Sequence, residues 1–190
     1  MSSAYKYLFP VMWLTYCAYW WVMARNVKPT KRREPGPSRL IRLVVIVGVV
    51  ALLLPRHTSV LLLDARFLPR PVLCFWIGAG VTAAGLLFAI WARRHLGSNW
   101  SQAVTVKKGH ELVTGGPYAI VRHPIYTGLL LAFLGCAIAR GEWRGLLALA
   151  LVSAEFWRKL RLEEKWMREQ FGESYEAYAR RVPALVPYVI

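Results

Sequence analysis

Long apolar runs without a single charge limit the folds that this chain can adopt. The clearest is Pro71 to Trp91, which holds 21 residues, and a helix needs about 20 apolar residues to span the hydrocarbon core of a bilayer. Tyr7 to Ala24 is also uncharged, and it contains aromatic residues of the kind found at membrane interfaces. With 56% hydrophobic residues, the composition is too apolar for an ordinary water-soluble domain. The sequence therefore predicts an integral membrane protein.

Three further apolar runs are shorter. A run from about Leu40 to Leu63 is interrupted at Pro55, and it predicts one tilted or broken membrane span. Ile125 to Ala139 and Gly145 to Ala154 are joined by a charged turn, and they predict a helical hairpin. Glu155 to Phe171 continues the second helix of this hairpin as a charged amphipathic segment that leaves the membrane.

The distribution of basic residues between the apolar runs predicts the orientation of the chain. Arg25 to Arg42 holds seven Lys or Arg and one acid, and its prolines predict a basic loop. Basic residues are also frequent after Trp91 and in the C-terminal tail. By the positive-inside rule, the N-terminus lies outside and the C-terminus lies in the cytoplasm. Because the net charge of +15 is spread between apolar runs, the predicted partners are membrane lipids and not nucleic acid.

Together these patterns predict an all-α polytopic membrane protein with about five transmembrane helices in a single domain. Residues 1–92 contain three of these helices, and residues 93–190 contain a polar loop, the hairpin and C-terminal helices. A short helix over Tyr175 to Arg181 completes a cytoplasmic C-terminal cap. Cys17, Cys74 and Cys136 have neither metal-ligand nor disulfide spacing, so no metal site is predicted.

The first polar cluster runs from Lys108 to Tyr118 and continues at Arg122 to Tyr126. Pro124 is well suited to the first position of a helix, which predicts His123 at the cap. Backbone amides at a helix start suit an anionic or polar ligand group.

The second polar cluster is Arg158 to Glu164. Lys159 and Glu163 are four residues apart, so they share one face of the predicted helix. Glu163 and Glu164 form a pair of carboxylates just beyond the apolar run. Such a pair is suited to a cationic ligand.

Both clusters contribute to an ordered set of motifs in the C-terminal half of the chain. The motifs are His110-Glu-Leu-Val113, Gly116-Pro-Tyr118, Arg122-His-Pro-Ile-Tyr126, Glu163-Glu164 and Phe171-Gly-Glu-Ser-Tyr175-Glu-Ala-Tyr178. Each motif alone is weak, but the ordered set is specific. It resembles the isoprenylcysteine carboxyl methyltransferase family and the related phospholipid N-methyltransferases.

The resemblance implies transfer of a methyl group from S-adenosyl-L-methionine to a lipophilic small-molecule or prenylated substrate, most directly by O-methylation of a carboxyl group. It also implies that the cofactor binds between the membrane helices and a cytoplasmic cap, with Glu163 facing its cationic part. The residues implied to bind the cofactor are His110, Glu111, Leu112, Val113, Tyr118, His123, Pro124, Ile125, Tyr126, Glu163 and Glu164.

On the catalytic, acceptor side, the resemblance points to Lys159, Arg161 and Arg122. Family members often have an arginine four residues before the acid, where this chain has Lys159. The positive charge is kept but the bidentate fork of arginine is lost. Either the headgroup of the acceptor differs, or Arg158 or Arg161 takes this role.

Several other interpretations stay open at the level of sequence. Lys159 with Glu163 is also consistent with a simple helix ion pair, and Arg122 with an interface anchor. Membrane sterol reductases that use NADPH have a similar Arg-His-Pro-x-Tyr and a similar ending, here Val182-Pro183 and Pro187-Tyr188. A phospholipid-type N-methyltransferase and a small membrane scaffold without a cofactor are further alternatives.

Overall fold

The computed structural model describes residues 4–25, 30–33, 36–53, 62–69, 72–97, 105–107 and 112–187. Within these ranges the chain is largely helical, as predicted, with one additional two-stranded antiparallel ribbon. The helices are α1 (Ala4–Met23), α2 (Gly36–Leu53), α3 (Val72–Leu96), α4 (Pro124–Arg140), α5 (Trp143–Phe171) and α6 (Glu173–Arg181), and the strands are β1 (Thr30–Arg33) and β2 (Thr105–Lys107).

Helices α3 and α4 pack with their backbones almost in contact. A Cβ atom added to Gly85 would lie 2.4 Å from the carbonyl oxygen of Gly128, and one added to Gly128 would lie 2.6 Å from that of Gly85. The buried Thr82 hydroxyl of α3 donates across the interface to the carbonyl oxygen of Ala132, at 3.2 Å. Small residues allow this approach, which is typical of helix pairs in membranes.

The helical hairpin of α4 and α5 is surrounded by the first three helices. Tyr16 of α1 packs into a core cluster with residues of α3 and α4. Val49 of α2 packs with α5, and Phe133 of α4 lies against this second cluster. The ring of Trp13 in α1 is 4.8 Å from that of Phe133. Helix α4 therefore touches both clusters and lies between them.

The predicted start of α2 was wrong, whereas its end lies next to the break predicted at Pro55. The helix begins at Gly36, inside the segment Arg25 to Arg42 that was predicted to be a loop. Pro37 stands in the first turn, where its missing amide hydrogen removes no helical bond. At the other end α2 stops at Leu53, residues 54–61 lie outside the described residues, and Leu63 belongs to a turn. The carbonyl oxygen of Leu63 accepts a bond from the amide of Arg144, so this turn packs on the hairpin.

Helix α3 continues to Leu96, beyond the apolar run that predicted it. Arg93, which was assigned to a loop, is fully buried. Its guanidinium donates to the carbonyl oxygens of Met23 and Gly97, each at 2.7 Å. These are the ends of α1 and α3, where a cation is favourable because helix C-termini carry partial negative charge. The charged residue thus extends the helix and ties it to α1.

Two helices of the described chain, α2 and α3, are long and apolar enough to cross a membrane, while α4 is apolar but shorter. Only 11% of the apolar window of α2 is buried within the molecule, so this helix is not the core of a water-soluble protein. Large outward apolar surfaces need a non-aqueous neighbour. This arrangement fits the membrane protein predicted from the sequence. The count of five spans stays a prediction.

The α3–α4 contact yields a direct test. We expect Gly85→Ala to lower the free energy of unfolding by about 1–3 kcal/mol, because the new methyl group meets the backbone of α4. Gly80→Ala is the matched control on the same helix, since a Cβ there meets nothing within 4 Å. Thermal unfolding in detergent measures both. Equal midpoints for the two variants would contradict the close contact.

Candidate active site

The candidate site lies where the start of α4 meets the polar half of α5. His123 caps α4 and Pro124 is its first residue, as the sequence predicts. Tyr126 follows in the first turn. Its hydroxyl donates to Glu163 of α5 at 2.5 Å, and the ring of His123 lies against both Glu163 and Glu164. Five of the residues assigned to the cofactor site are therefore in one place.

The two adjacent carboxylates differ in exposure. The side chain of Glu164 is 7% exposed and that of Glu163 is 24% exposed. The imidazole of His123 lies between them, with Nδ1 3.4 Å from one oxygen of Glu163 and Nε2 3.4 Å from one oxygen of Glu164. Both ring nitrogens can donate only when the imidazole is protonated. A protonated His123 therefore places its positive charge next to both acids, within ion-pair distance, while Nε2 makes no hydrogen bond to the described residues.

Arg122 neutralises the more buried acid. Its Nε and Nη2 atoms approach the same oxygen of Glu164 at 2.8 and 2.7 Å. Its Nη1 donates to the carbonyl oxygens of Ala179, at 2.9 Å, and Val182. Arg168 approaches the other oxygen of Glu164 at 3.3 Å. Glu164 therefore ties α5 to α6 through Arg122, and cations of the fold compensate its charge.

These contacts determine the protonation of the site. Burial acts to raise the pKa of Glu164, but the nearby imidazole of His123 and the hydrogen-bonded guanidinium of Arg122 outweigh it and hold the pKa at about 2. Burial also opposes ionisation of Glu163, yet the hydrogen bond from His123 and the charge of Lys159 lower its pKa. Burial alone would lower the pKa of His123, whereas the two adjacent carboxylates raise it. Both acids are thus anionic at neutral pH.

Aromatic rings hold the partners of Glu163. The ring of Tyr126 stacks on that of His123 at 5.6 Å and on that of Phe156 at 4.9 Å. The Nζ atom of Lys159 lies 5.2 Å from the centre of the Tyr126 ring. The ring stack therefore fixes the Tyr126 hydroxyl on Glu163 and brings a cation and a carboxylate to the same face of α5.

Arg161 is not brought into this cluster. Its guanidinium lies 5.9 Å from the centre of the Trp157 ring, and both side chains are exposed. Residues two positions apart on a helix point in different directions, so Arg161 and Lys159 occupy different faces of α5. The structure therefore separates two of the three residues implied on the acceptor side.

Arg158, the other alternative to Lys159, is engaged in a bidentate ion pair. Its Nε and Nη2 atoms each lie 2.8 Å from an oxygen of the buried Glu155. Its Nη1 donates to the hydroxyl of Ser38 in α2. These contacts give Arg158 a role in holding α2 against α5.

Tyr118 lies in a short 3₁₀ turn, Gly116–Ala119, that packs on the end of α3. The rings of Tyr118 and His95 stack at 6.4 Å. Gly116 has φ +58, and a Cβ atom there would lie 2.7 Å from the His95 ring. Tyr178 of α6 donates its hydroxyl to the carbonyl oxygen of Tyr118 at 2.6 Å. The Gly-x-Tyr and Phe-Gly-x-x-Tyr-x-x-Tyr motifs therefore meet through one buried hydrogen bond.

Sequence reasoning missed the segment that follows α6. We call residues 182–185 the C-terminal strap, because they lie along the start of α4. The amides of Arg122 and His123 donate to the carbonyl oxygens of Pro183 and Ala184 at 2.8 and 3.0 Å. The cap position, which was predicted to suit an anionic or polar ligand group, thus has its amide bonded to the chain itself. Pro183 signalled the end of α6, but no local pattern predicted where the strap would pack.

The remaining predicted residues are only partly described. His110 and Glu111 lie outside the described residues. Leu112 and Val113 are half-buried in the segment before the 3₁₀ turn, Pro124 is buried, and Ile125 is half-buried. Their contribution to a cofactor site stays a prediction.

Comparison with known proteins follows the motifs. The phospholipid methyltransferase family matches residues 73–174, more than half of the chain. The chain therefore belongs to the phospholipid methyltransferase family, and the resemblance read from the C-terminal motifs is confirmed. The matched segment contains α4, α5 and all of α3 except its first residue, and therefore both sides of the site at Glu163.

Named relatives extend this result. A protein-S-isoprenylcysteine O-methyltransferase from Schizosaccharomyces pombe is 38% identical over 96 residues, which cover 49% of this chain and 41% of that protein. Protein-S-isoprenylcysteine O-methyltransferase B from Arabidopsis thaliana is 38% identical over 81 residues, which cover 42% of this chain and 41% of that protein. A steroid 5-alpha-reductase from Solanum lycopersicum is 31% identical over 101 residues, which cover 53% of this chain and 38% of that protein. The match thus spans about two fifths of these relatives.

The position of His123 between the two acids leads us to expect a pH-dependent contribution to the stability of the fold. Because its pKa is raised on folding, protonation stabilises the fold fully below about pH 6.5, and this contribution is lost as the pH rises through the folded value. We expect the difference in unfolding midpoint between the native chain and His123→Gln to shrink from pH 6 to pH 9. Glu164, with a pKa of about 2, stays ionised throughout this range.

His95→Gln is the control for this experiment, because its ring stacks on Tyr118 instead of bridging the acids. Thermal unfolding in detergent at several pH values gives the comparison. If the midpoint difference for His123→Gln grew with pH, the protonated bridge would be contradicted.

Proposed function

We propose that this chain is an integral membrane methyltransferase that uses S-adenosyl-L-methionine to methylate the carboxyl group of a lipophilic acceptor, with isoprenylated cysteine as the acceptor class. The observation that carries the proposal is Glu163, an anionic side chain that is 24% exposed and that contacts the imidazole of His123 and the hydroxyl of Tyr126. The named isoprenylcysteine methyltransferases among its relatives support the reaction and the acceptor.

The residues around Glu163 fit a cationic cofactor. Bound S-adenosylmethionine would supply a methyl group on a sulfonium, which is already activated for displacement. Glu163 would stabilise that positive charge, whereas the charge of Glu164 is already compensated by Arg122. The hydrogen bond from the Tyr126 hydroxyl to one oxygen of Glu163 fixes the orientation of the carboxylate.

Lys159 would orient the acceptor. A carboxylate acceptor is anionic at neutral pH, so no proton has to be removed and no general base is needed. The raised pKa of His123 agrees with this, because it favours the protonated imidazole over the neutral form that acts as a base. Alignment of the two reactants by Lys159 and Glu163 can contribute roughly 7 kcal/mol or more in favourable cases. Arg122 and Arg161 are assigned no contact with the acceptor; Arg122 positions Glu164.

The proposed topology has about five membrane spans in one domain, with the N-terminus outside. Residues 1–92 supply three spans, and residues 93–190 supply the cofactor loop, the hairpin and a cytoplasmic cap. The charge pattern between the apolar runs supports this orientation. The polar half of α5 and helix α6 would then face the cytoplasm, where a soluble cofactor is available, while the acceptor reaches the site from the bilayer.

The decisive experiment measures methyl transfer and cofactor binding in the same preparation. Purified protein is incubated with methyl-labelled S-adenosylmethionine and farnesylated cysteine derivatives, and binding of S-adenosylhomocysteine and S-adenosylmethionine is followed by calorimetry. We expect labelled product whose label is released by base, as for a carboxyl ester. Base-stable label on added phospholipid would instead indicate an N-methyltransferase. If the protein formed no labelled product and bound no cofactor, the proposal would be refuted in favour of a membrane scaffold.

Glu163→Gln tests the role of the carboxylate. Removing its charge should weaken S-adenosylmethionine binding roughly 10- to 100-fold, the usual range for a hydrogen-bonded charged group. The effect on S-adenosylhomocysteine, which lacks the sulfonium charge, should be smaller. Glu173→Gln on the exposed start of α6 is the control. Equal losses for both ligands would contradict a charge interaction at Glu163.

A reductase that uses NADPH is the second candidate, favoured by the 31% identity to the tomato steroid 5-alpha-reductase over 53% of the chain. The two candidates differ in the ligand that stabilises the protein. Thermal protection by S-adenosylhomocysteine is expected for the methyltransferase. Protection by NADPH alone would reverse the assignment.

A further inference from the structure

We infer that the C-terminal strap is a positioning element of the site, and that Thr127 is the residue that latches it. The consequence for cofactor binding rests on the proposed function, whereas the structural coupling of the strap to His123 does not. The strap thereby acts on Glu163 without touching it.

Four successive carbonyl oxygens of the strap accept hydrogen bonds from one short segment of the chain. The Nη1 atom of Arg122 donates to the carbonyl oxygen of Val182, and its backbone amide donates to that of Pro183. The amide of His123 donates to residue 184, and the hydroxyl of Thr127 donates to residue 185 at 2.6 Å. The donors are the residue before the cap of α4, the cap residue His123 and Thr127 of its first turn. The strap therefore satisfies the cap amide, which a helix start otherwise leaves without a partner, and the amide that precedes it.

The same residues hold the charged centre. Arg122 binds Glu164 with its other guanidinium nitrogens, and the ring of His123 bridges Glu163 and Glu164. The charged groups that face His123 are these two acids of α5, which in turn interact with Lys159 and Arg122, and the ring of Tyr126 stacks on the imidazole. If the strap is released, the amides at 122 and 123 lose their acceptors, and the backbone that aims the imidazole loses its support.

Thr127 is the part of this latch that can be changed separately. Arg122 and His123 each bind the acids as well as the strap, so their substitution alters both. The Thr127 hydroxyl instead contacts two backbone carbonyl oxygens, those of Leu185 at 2.6 Å and His123 at 3.2 Å. Thr127→Val removes these bonds at almost constant volume, and Thr127→Ser keeps the hydroxyl.

The test compares these variants of the full chain in detergent. Hydrogen exchange of the His123 amide should become about 2- to 10-fold faster in Thr127→Val, the usual effect of losing one hydrogen bond. The ring of His123, followed by NMR, should titrate at lower pH than in the native chain. Affinity for S-adenosylhomocysteine should fall by a similar factor, and Thr127→Ser should restore all three values.

Ser153→Ala is the matched control, because the Ser153 hydroxyl also donates to a carbonyl four residues earlier, at 2.7 Å, but in α5 and away from the strap. A chain that ends at Arg181 is a second variant and should show larger changes. Unchanged His123 exchange and titration in Thr127→Val, or equal changes in Ser153→Ala, would overturn the inference. If Thr127→Val changed the exchange and titration of His123 but the native chain bound no S-adenosylhomocysteine, the proposed function would be refuted. The role of Thr127 in holding the strap against His123 would then still stand.

Discussion

The backbone contact between α3 and α4 determines where the polar parts of this chain can lie. Gly85 and Gly128 approach so closely that neither position has space for a methyl group, so the two helices have little freedom to slide. The end of α3 and the start of α4 are thereby held at the same end of the molecule. His95 then meets the turn that carries Tyr118, and His123 meets α5. In a membrane, where apolar surfaces gain little by contacting one another instead of lipid, such close packing is an effective way to fix a register.

Charge compensation divides the two acids of α5 into different roles. Glu164 is buried and has Arg122, Arg168 and His123 as partners, as a buried carboxylate requires. Among the described residues, Glu163 contacts the imidazole of His123 and the Tyr126 hydroxyl, and the charge of Lys159 helps to lower its pKa. A carboxylate that is kept anionic and is 24% exposed is suited to stabilise an added cation. The different surroundings of two neighbouring glutamates thus underlie the proposed site.

Local sequence patterns predicted the hairpin, α6 and the cap of α4, because apolar runs, charge spacing and Pro124 act within one or two turns. They also predicted that Lys159, Glu163 and Tyr126 would share a site, through the resemblance of the motifs. They did not predict the burial of Arg93, which depends on the end of α1 lying beside α3. Contacts between helices distant in sequence decide such cases. The different faces of Arg161 and Lys159 follow from helix geometry alone and could have been inferred.

Several motif residues hold the helices of the proposed site together. Hydrogen bonds made by Arg122, Glu164 and Tyr178 join the start of α4, α5, α6 and the 3₁₀ turn to one another. Each of these bonds is made with a buried or half-buried partner, so losing one would leave an unsatisfied polar group, which costs more than the bond itself contributes. The spacing of the motifs therefore preserves an assembly whose result is the position of Glu163 beside Lys159. Substrate differences within such a family can then arise at few positions, because most motif residues are constrained by one another.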